Sequence, residues 1–311
     1  MTRTLKTVFS AGLLVAFLSG CASVPKDAGF GDVHKTVAER TGKRIEWYQG
    51  GPEDKAVAAA VRTMLNEELT ADRAVQVALL NNPRLQATYE NLGIAQANLV
   101  QAGLLKNPVF NAGILFRGAA PVDLEFSVIQ DFLSILFLPA RRQVAADQFE
   151  AVKFNVTGAV MDLTANVRTA FYSAQAQEQT VEFLRQVVET TGAAYDVAKR
   201  LHEAGNITDV TLANERALYE DSKLALADAE LERAKRRERL NVLMGLWGAD
   251  TQWNINPRLP EIPNDIMDLN GLETRAIGAS LDLAAARKRI ESVARILGIT
   301  NATALIPELE L

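Results

Sequence analysis

The 311-residue sequence predicts a mainly α-helical protein with a small β part, built from one long α-helical hairpin and one transmembrane β-hairpin. Two long segments with apolar residues at helical spacing flank the turn EAGN at residues 203–206. Before them, two segments of about ten residues each alternate apolar and polar side chains, and the turn RGAAP at residues 117–121 joins them.

The composition is that of a folded protein with no general affinity for nucleic acid. Hydrophobic residues make up 48% of the chain and charged residues 23%, which is typical of globular rather than disordered chains. The net charge of -5 provides no overall basic field. We therefore expect no nucleic-acid partner.

The amino terminus predicts export and lipidation. Arg3 and Lys6 precede an apolar stretch, residues 8–18, that is too short to span a bilayer, as in a secretory signal. Residues 18–21 resemble a bacterial lipobox, which predicts a signal peptide at residues 1–20 and a diacylglycerol on Cys21, the only cysteine. Alanine and serine follow the cysteine, which favours the outer membrane, where acyl chains anchor rather than span. The alternative is an ordinary signal peptide with an incidental cysteine.

The next part of the chain divides into a tether and a helix. Residues 21–64 are predicted to be a lipidated tether, because Gly, Pro, Lys and Asp are mixed there without clear periodicity. Thr70 can cap a helix whose apolar residues recur at three-to-four spacing. Pro83 is expected to bend or restart that helix, and the glycine and proline of AGLLKNP, at 102–108, end it.

The two alternating segments predict a β-hairpin with one apolar face. Their apolar residues are Phe110, Ala112, Ile114, Phe116, Val122, Leu124, Phe126 and Val128. The pattern and length fit strands of a transmembrane barrel, but an amphipathic hairpin lying on a soluble core would look the same. Asp123, Glu125 and Asp131 belong to the polar set of the second segment. They are interpreted either as lumen-facing groups that make a barrel interior acidic or as an ordinary solvated face.

The chain after Pro139 predicts two long helices. The first runs to the EAGN turn and the second from Thr208 to about Met244. A repeat of 3.5 residues in the second helix predicts a coiled-coil seam of closely approaching helices, formed by Ala213, Ala217, Leu224, Ala227, Leu231 and Ala234. The run ERAKRRER at 232–239 is interpreted as a solvated flank of this helix.

The carboxy-terminal part repeats the beginning. Residues 82–110 and 280–309 share a leucine near the start, an apolar helical stripe and a proline before an alternating tail. We therefore assign residues 65–263, which end in a loop-rich connector, to a first structural repeat. Residues 264–311 are the start of a second, incomplete repeat, and PELEL is interpreted as the opening of a third strand.

An enzyme is not predicted. The two histidines, His34 and His202, have neither the spacing of a metal site nor that of a catalytic triad, and His202 is interpreted as an exposed polar residue at the hairpin tip. No glycine-rich phosphate loop follows a strand. We expect no metal and no cofactor other than the covalent lipid.

Five motifs in order give the chain a family resemblance. They are LTADRAVQVALLNNPRLQA (69–87), QAGLLKNP (101–108), RLHEAGNITDVTLANERA (200–217), LNVLMGLWG (240–248) and LDLAAARKRI (281–290). Together they resemble the outer-membrane efflux channel family, the TolC-like outer membrane factors. The resemblance covers residues 65–311.

The resemblance implies an assembly and partners. Such proteins are trimers whose protomers each give four strands to one barrel and several long helices to a periplasmic tunnel. It implies a passive conduit of a tripartite efflux system, lipid-anchored in the bacterial outer membrane, with an inner-membrane efflux pump as the energy source. It places a periplasmic adaptor protein at the turn formed by Arg200, Ala204, Gly205, Asn206, Ile207, Thr208, Asp209 and Val210. A plain helix-hairpin turn is compatible with that contact.

The sequence departs from the family in ending after about half of the expected second repeat, which predicts a truncated channel subunit. Two strands per protomer would give six in a trimer, fewer than the eight of the smallest usual barrels. The alternative function is a non-conducting coiled-coil lipoprotein that scaffolds or spaces partners in the periplasm. The residues do not identify an exported substrate.

Overall fold

The computed structural model describes residues 27–115, 123–262 and 269–303. Helices dominate these ranges, and the strands form one hairpin. The elements in chain order are α1 (Phe30–Thr41), α2 (Pro52–Asn66), α3 (Ala71–Asn81), α4 (Pro83–Ala102), β1 (Val109–Leu115), β2 (Asp123–Ile129), α5 (Phe132–Leu136), α6 (Leu138–Glu203), α7 (Asp209–Met244), α8 (Leu272–Ala279) and α9 (Leu281–Thr303). The mainly helical fold with a small β part is confirmed.

The chain forms two compact units. The described residues of the first are 27–33, 90–115, 123–156 and 280–303, so it holds the β-hairpin, the start of α6 and α9. The described residues of the second are 34–89, 157–262 and 269–279. The second unit therefore holds the junction between α3 and α4 and the hairpin of α6 and α7.

The predicted tether is wrong wherever the structure describes it. Most of residues 27–64 belong to α1 and α2, and Val37, Ile45 and Val61 are almost completely buried. Pro52 begins α2 because its missing N–H costs nothing at a helix start. Glycine and proline therefore mark the helix ends here rather than a flexible segment. Residues 21–26 lie outside the described part of the chain.

The interruption predicted at Pro83 is confirmed as a junction of two helices. The Thr70 side chain accepts a hydrogen bond from the Arg73 amide and caps α3. After α3 ends, Oδ1 of Asn82 accepts the amides of Arg84 and Leu85, which caps α4. The helix then ends at Ala102, just before the predicted glycine.

Two asparagines of this junction also hold the end of α7. Nδ2 of Asn81 donates to the carbonyls of Met244 and Gly245, at 3.1 and 2.8 Å. Nδ2 of Asn82 donates to the Leu243 carbonyl at 2.8 Å. These carbonyls lie at the helix end, where backbone acceptors lack partners within the helix. Each asparagine side chain thus completes a helix terminus far along the sequence.

The predicted β-hairpin is present. Strands β1 and β2 pair antiparallel, with Ala112 opposite Phe126 and Asn111 opposite Ser127. Phe110 and Phe126 stack at 6.1 Å on the apolar face. Every residue of both strands is exposed, so the described residues provide no soluble core beneath the hairpin. Residues 116–122, including the predicted turn, Phe116 and Val122, lie outside the described residues.

Helices α6 and α7 confirm the predicted helical hairpin. Within the second unit, Nε2 of Gln177 donates to the Ala229 carbonyl at 3.0 Å. The hydroxyls of Thr191 and Ser222 lie 2.8 Å apart. Gly192 leaves room for the Tyr219 ring, which an added Cβ would approach to 3.1 Å. Among the described residues, no helix combines the length and apolar character needed to cross a membrane.

The predicted seam of α7 is exposed. The α7 residues that are buried include Ser222, Ala229 and Leu240, whereas all six seam residues are exposed. Leu224 is 65% exposed and Leu231 54%. The seam lies on the opposite side of the helix from Ala229, because Leu231 is two residues and about 200° away. Helix α7 therefore has two faces suited to packing, and the described residues cover only one of them.

The range predicted to start a second repeat, 264–311, contains a helix pair in its described part. Helix α8 is followed directly by α9, as α3 is followed by α4. Ser280 stands at the second break and its Oγ accepts the Leu283 amide, the role that Asn82 has at the first. The alternating tail and PELEL lie outside the described residues.

Candidate functional site

The tip of the α6–α7 hairpin is a tight turn that ends one helix and starts the next. The Asn206 amide donates to the Leu201 carbonyl and the Gly205 amide to the His202 carbonyl, both at 2.8 Å. Gly205 has a φ of +73°. This combination is the Schellman motif, in which a residue with positive φ, usually glycine, lets the last carbonyls of a helix find donors. A Cβ at Gly205 would meet nothing within 4 Å, so backbone conformation and not crowding favours glycine.

The returning helix is capped by its own first residues. Oγ1 of Thr208 accepts the Thr211 amide at 3.2 Å and lies 3.0 Å from the Thr211 hydroxyl. Asp209 begins α7, where a carboxylate interacts favourably with the positive end of the helix dipole. The turn is therefore fixed from both sides and needs no contact from elsewhere.

One side-chain pair crosses the turn. Nε2 of His202, on the last turn of α6, lies 2.6 Å from Oδ1 of Asp209. The Asp209 side chain is 94% exposed. The pair joins the two helix ends and still leaves most of the carboxylate available. His202, interpreted from the sequence as an exposed polar residue, is partly exposed and bonded to Asp209.

An apolar groove adjoins the turn on one side. It has a volume of about 450 Å³ and is lined by both helices. Val197 is 54% exposed and Leu201 41%, and Val210 nearby is 69% exposed. The lining includes Ala193, Ala194, Val197, Leu201, Ile207 and Thr211. The tip thus offers a polar apex beside a shallow apolar surface.

The structure brings the residues predicted to contact an adaptor onto one tip. Seven of the eight are exposed and Ile207 is half-buried; the eight are Arg200, Ala204, Gly205, Asn206, Ile207, Thr208, Asp209 and Val210. The sequence prediction missed the wall of the groove on α6. Val197 and Leu201 are spaced four apart on that helix, which is the signal that could have found them. The adaptor contact itself stays a prediction.

The predicted lumen-facing residues do not all lie on one element. Asp123 and Glu125 lie on β2, opposite Leu115 and Gly113. The placement of Asp131 with them is wrong, because β2 ends at Ile129 and Asp131 caps α5 by accepting the Ser134 amide. Its Oδ2 also lies 2.7 Å from Nζ of Lys106. The alternation of apolar and polar residues in the sequence continues beyond the end of β2, because the residue that caps α5 is also polar. The pattern alone therefore does not show where the strand ends.

Two further predictions concern chemistry that the structure does not test. Cys21, the predicted lipidation site, lies outside the described residues. Within the described ranges, no cluster of three or more histidine, cysteine or carboxylate side chains could hold a metal ion. His34 lies on α1 and His202 on α6, so the two histidines belong to separate helices.

The helical hairpin and the junction that holds it match a known family. Residues 74–246 match the sequence profile described as Outer membrane efflux protein, which is more than half of the chain. The chain belongs to the outer membrane efflux protein family. The match runs from the first turn of α3 through the hairpin tip to just beyond α7.

Solved structures of membrane proteins share the fold of this family member. A membrane protein from Pseudomonas aeruginosa superposes with a TM-score of 0.63 and 18% identity, over 75% of this chain and 58% of that one. The Campylobacter jejuni CmeC outer membrane channel gives 0.63 and 15%, over 75% and 53%. The open state of the Neisseria gonorrhoeae MtrE outer membrane channel gives 0.57 and 18%, over 74% and 54%.

These likenesses establish the fold. This family member spans between 53% and 58% of the length of those three proteins. In a comparison with curated protein sequences, none matched this chain.

Proposed function

We propose that this family member is an outer-membrane channel component of a tripartite efflux system. Its helices form part of the wall of a periplasmic conduit, and its β-hairpin enters the outer membrane beside hairpins of other copies in a homotrimer. A periplasmic adaptor docks at the tip of the α6–α7 hairpin, and an inner-membrane pump supplies the energy. The chain itself conducts passively and performs no chemistry.

The observation that carries this proposal is the two-sided packing of α7. One face of the helix is buried, and the opposite face presents the exposed seam of alanines and leucines. A helix that needs neighbours on opposite sides fits a wall of side-by-side helices better than a layer over a closed core. Small residues on that seam allow a close approach of the next helix, which a wall without gaps requires.

The β-hairpin supports a membrane location for one end of the chain. Phe110, Leu124 and Phe126 are each more than 60% exposed on its apolar face. Large contiguous apolar surfaces on a protein mark contacts with lipid or with other proteins. The two strands cannot close a sheet by themselves, so the proposal requires strands from other copies or other segments.

The tip supports docking by a second helical protein. Its turn is fixed by its own hydrogen bonds, so it presents a preformed surface. The apolar groove lined by Val197 and Leu201 fits the apolar residues of a partner hairpin, while Asp209 and Arg200 offer charges for its polar residues. The contact belongs to the proposal and rests on the turn geometry together with the family.

The test is single-channel conductance in a planar bilayer, with the oligomeric mass measured in detergent on the same preparation. We expect discrete, stable openings from a trimer. The alternative is a non-conducting coiled-coil lipoprotein that scaffolds periplasmic partners. A monomer that produces no openings but still binds an adaptor hairpin would contradict conduction by this chain. It would favour either the truncated channel subunit that the sequence predicts or the scaffolding alternative.

A further inference from the structure

A second groove lies between α6 and α7, away from the tip, and its lining is polar and basic. It has a volume of about 400 Å³, within the range of small-molecule sites. Helix α7 contributes Lys235, Arg236 and Arg239, and the carboxylate of Glu232. Three cations therefore face one anion. The run ERAKRRER contains them, and its Glu232, Lys235 and Arg239 are exposed, as expected of a solvated flank.

The charges in this groove are not balanced within the described residues. The Glu232 carboxylate is bound by Nζ of Lys235 at 2.7 Å, and this hydrogen bond lowers the pKa of Glu232. Arg236 donates to the Ser173 carbonyl at 3.2 Å, which leaves most of its donors free. Arg239 has no ion-pair or hydrogen-bond partner in the part of the chain that the structure describes.

The spacing of the three cations makes this imbalance unfavourable. Arg239 is four residues from Lys235 and three from Arg236, so the three side chains are neighbours on the helix surface. Like charges at these spacings destabilise a helix. An anion bound among them removes that cost and gives their N–H groups charge-assisted hydrogen bonds.

Helix α6 adds neutral donors to the same groove. Asn166, Thr169 and Ser173 line it, and none of their side chains has a hydrogen-bond partner among the described residues. Ala170 is the one lining residue without a polar side chain. An apolar ligand would leave these groups desolvated and unpaired, at a cost in free energy. The groove therefore selects a polar ligand.

We propose that this groove binds small, multiply charged oxyanions of the phosphate class. A single carboxylate offers two oxygens, whereas the groove presents three cationic side chains and three neutral donor groups. A diphosphate offers enough acceptor oxygens to satisfy them, and arginine pairs with phosphate oxygens in bidentate geometry. This inference is independent of the proposed function, because it holds whether or not the chain conducts.

The test is calorimetric titration of the whole chain, in detergent and about 0.1 M salt, with sodium pyrophosphate. We expect saturable binding that R239Q weakens about tenfold or more, as loss of a charge-assisted hydrogen bond predicts. The matched control is R216Q. Arg216 is an exposed arginine on the same helix without an ion pair in the described ranges, about 35 Å from Arg239 and beyond the screening length.

Two comparisons make the outcome decisive. E232Q removes the one carboxylate of the groove, so it should tighten pyrophosphate binding, a gain that misfolding does not produce. R216Q should leave the affinity unchanged. Equal weakening by R239Q and R216Q, or no binding of pyrophosphate at millimolar concentration, would overturn the proposal. A thermal melt by circular dichroism checks that each variant keeps its helices.

Discussion

At the scale of single residues, Gly245 is the most constrained position of the junction. It ends α7 with a φ of +68°, a conformation that side chains rarely adopt. A Cβ there would lie 2.5 Å from the Asn81 carbonyl oxygen and 2.9 Å from Cδ of Pro83. Glycine is therefore required at this position for two reasons. It adopts the positive φ at the helix end, and it leaves space for the backbone of Asn81 and the ring of Pro83 to approach closely.

We expect Gly245→Ala to lower the free energy of unfolding by about 3 kcal/mol, from backbone strain and overpacking together. Chemical denaturation followed by circular dichroism measures it. Gly158→Ala is the matched control, because Gly158 lies inside α6 and a Cβ there meets nothing within 4 Å. That variant should be about 0.5 to 1 kcal/mol more stable than the wild type. Equal stability of the two variants would show that position 245 does not require glycine.

Asp72, at the start of α3, makes the stability of the fold depend on pH. It lies 3.3 Å from Nζ of Lys43 and 2.9 Å from Arg168, and the hydrogen bond from Lys43 lowers the pKa of Asp72 below its ordinary 3.8. A lowered pKa in the folded state means that the carboxylate stabilises the fold at neutral pH. That contribution is lost as the pH falls from about 4 through the folded pKa.

We therefore expect Asp72→Asn to cost up to about 1 kcal/mol at pH 7, because the Asp72 side chain is 66% exposed and solvent screens the pair. Below the folded pKa the two proteins should be equally stable. Unfolding titrations across this pH range measure the difference. Asp228→Asn, at an exposed carboxylate with no ion pair in the described ranges, controls for the general loss of charge. A constant difference at all pH values would rule out the mechanism.

At the scale of elements, the β-hairpin offers two faces in adjacent residues. Phe126 belongs to the apolar face and Ser127 to the face of Asn111. We expect Phe126→Lys to oppose insertion into lipid vesicles by about 2 to 4 kcal/mol, and Ser127→Lys by less than about 1 kcal/mol. Protease protection in vesicles, followed against urea, measures both. Similar losses from the two variants would argue against lipid contact on the apolar face.

Elements were predictable where local chemistry decides them. Thr70, Thr208 and Gly205 mark helix ends by side-chain or backbone properties that a sequence displays directly. Helix α1 was missed because its apolar residues are few and separated by charged ones, and α2 because its apolar run AVAAAV, at 56–61, is continuous and shows no helical spacing. Val33 and Val37, four residues apart, are nonetheless buried. These helices are stabilised by burial against other parts of the chain, and the sequence alone does not reveal that burial.

The candidate sites, too, were predictable where neighbouring residues form them and not where distant residues do. The turn at the hairpin tip was predictable because its capping groups are contiguous in sequence. The two grooves were not, because each is lined by residues of both α6 and α7, and these face each other only in the fold. Asp131 shows the opposite error, since its spacing fitted the strand while its hydrogen bond to Ser134 makes it a cap.

At the scale of the whole molecule, the exposed seam of α7 is expected to hold the assembly together. Leu231→Glu places a charge in the seam and should dissociate the oligomer, because an unpaired charge buried at an interface is costly. Leu218→Glu is the matched control. Leu218 is also 54% exposed, but it follows Ala217 and so lies about 100° away from the seam.

Multi-angle light scattering in detergent measures the mass of both variants. We expect a monomer for Leu231→Glu and the wild-type oligomer for Leu218→Glu. An unchanged mass for Leu231→Glu would show that the seam is not an interface between copies.

The asparagine pair at the helix junction also sets an order of events during folding. Asn81 bonds to carbonyls 163 and 164 residues later, and Asn82 to one 161 residues later. The early helices can form as soon as they are synthesised, but the asparagine side chains at their junction lack these hydrogen bonds until residue 245 has been made. Contacts of such long range slow folding and leave incomplete intermediates exposed. The newly made chain therefore remains a partly folded intermediate for a long time. That stage ends in one late step, when the last turn of α7 packs against the side-chain amides of Asn81 and Asn82.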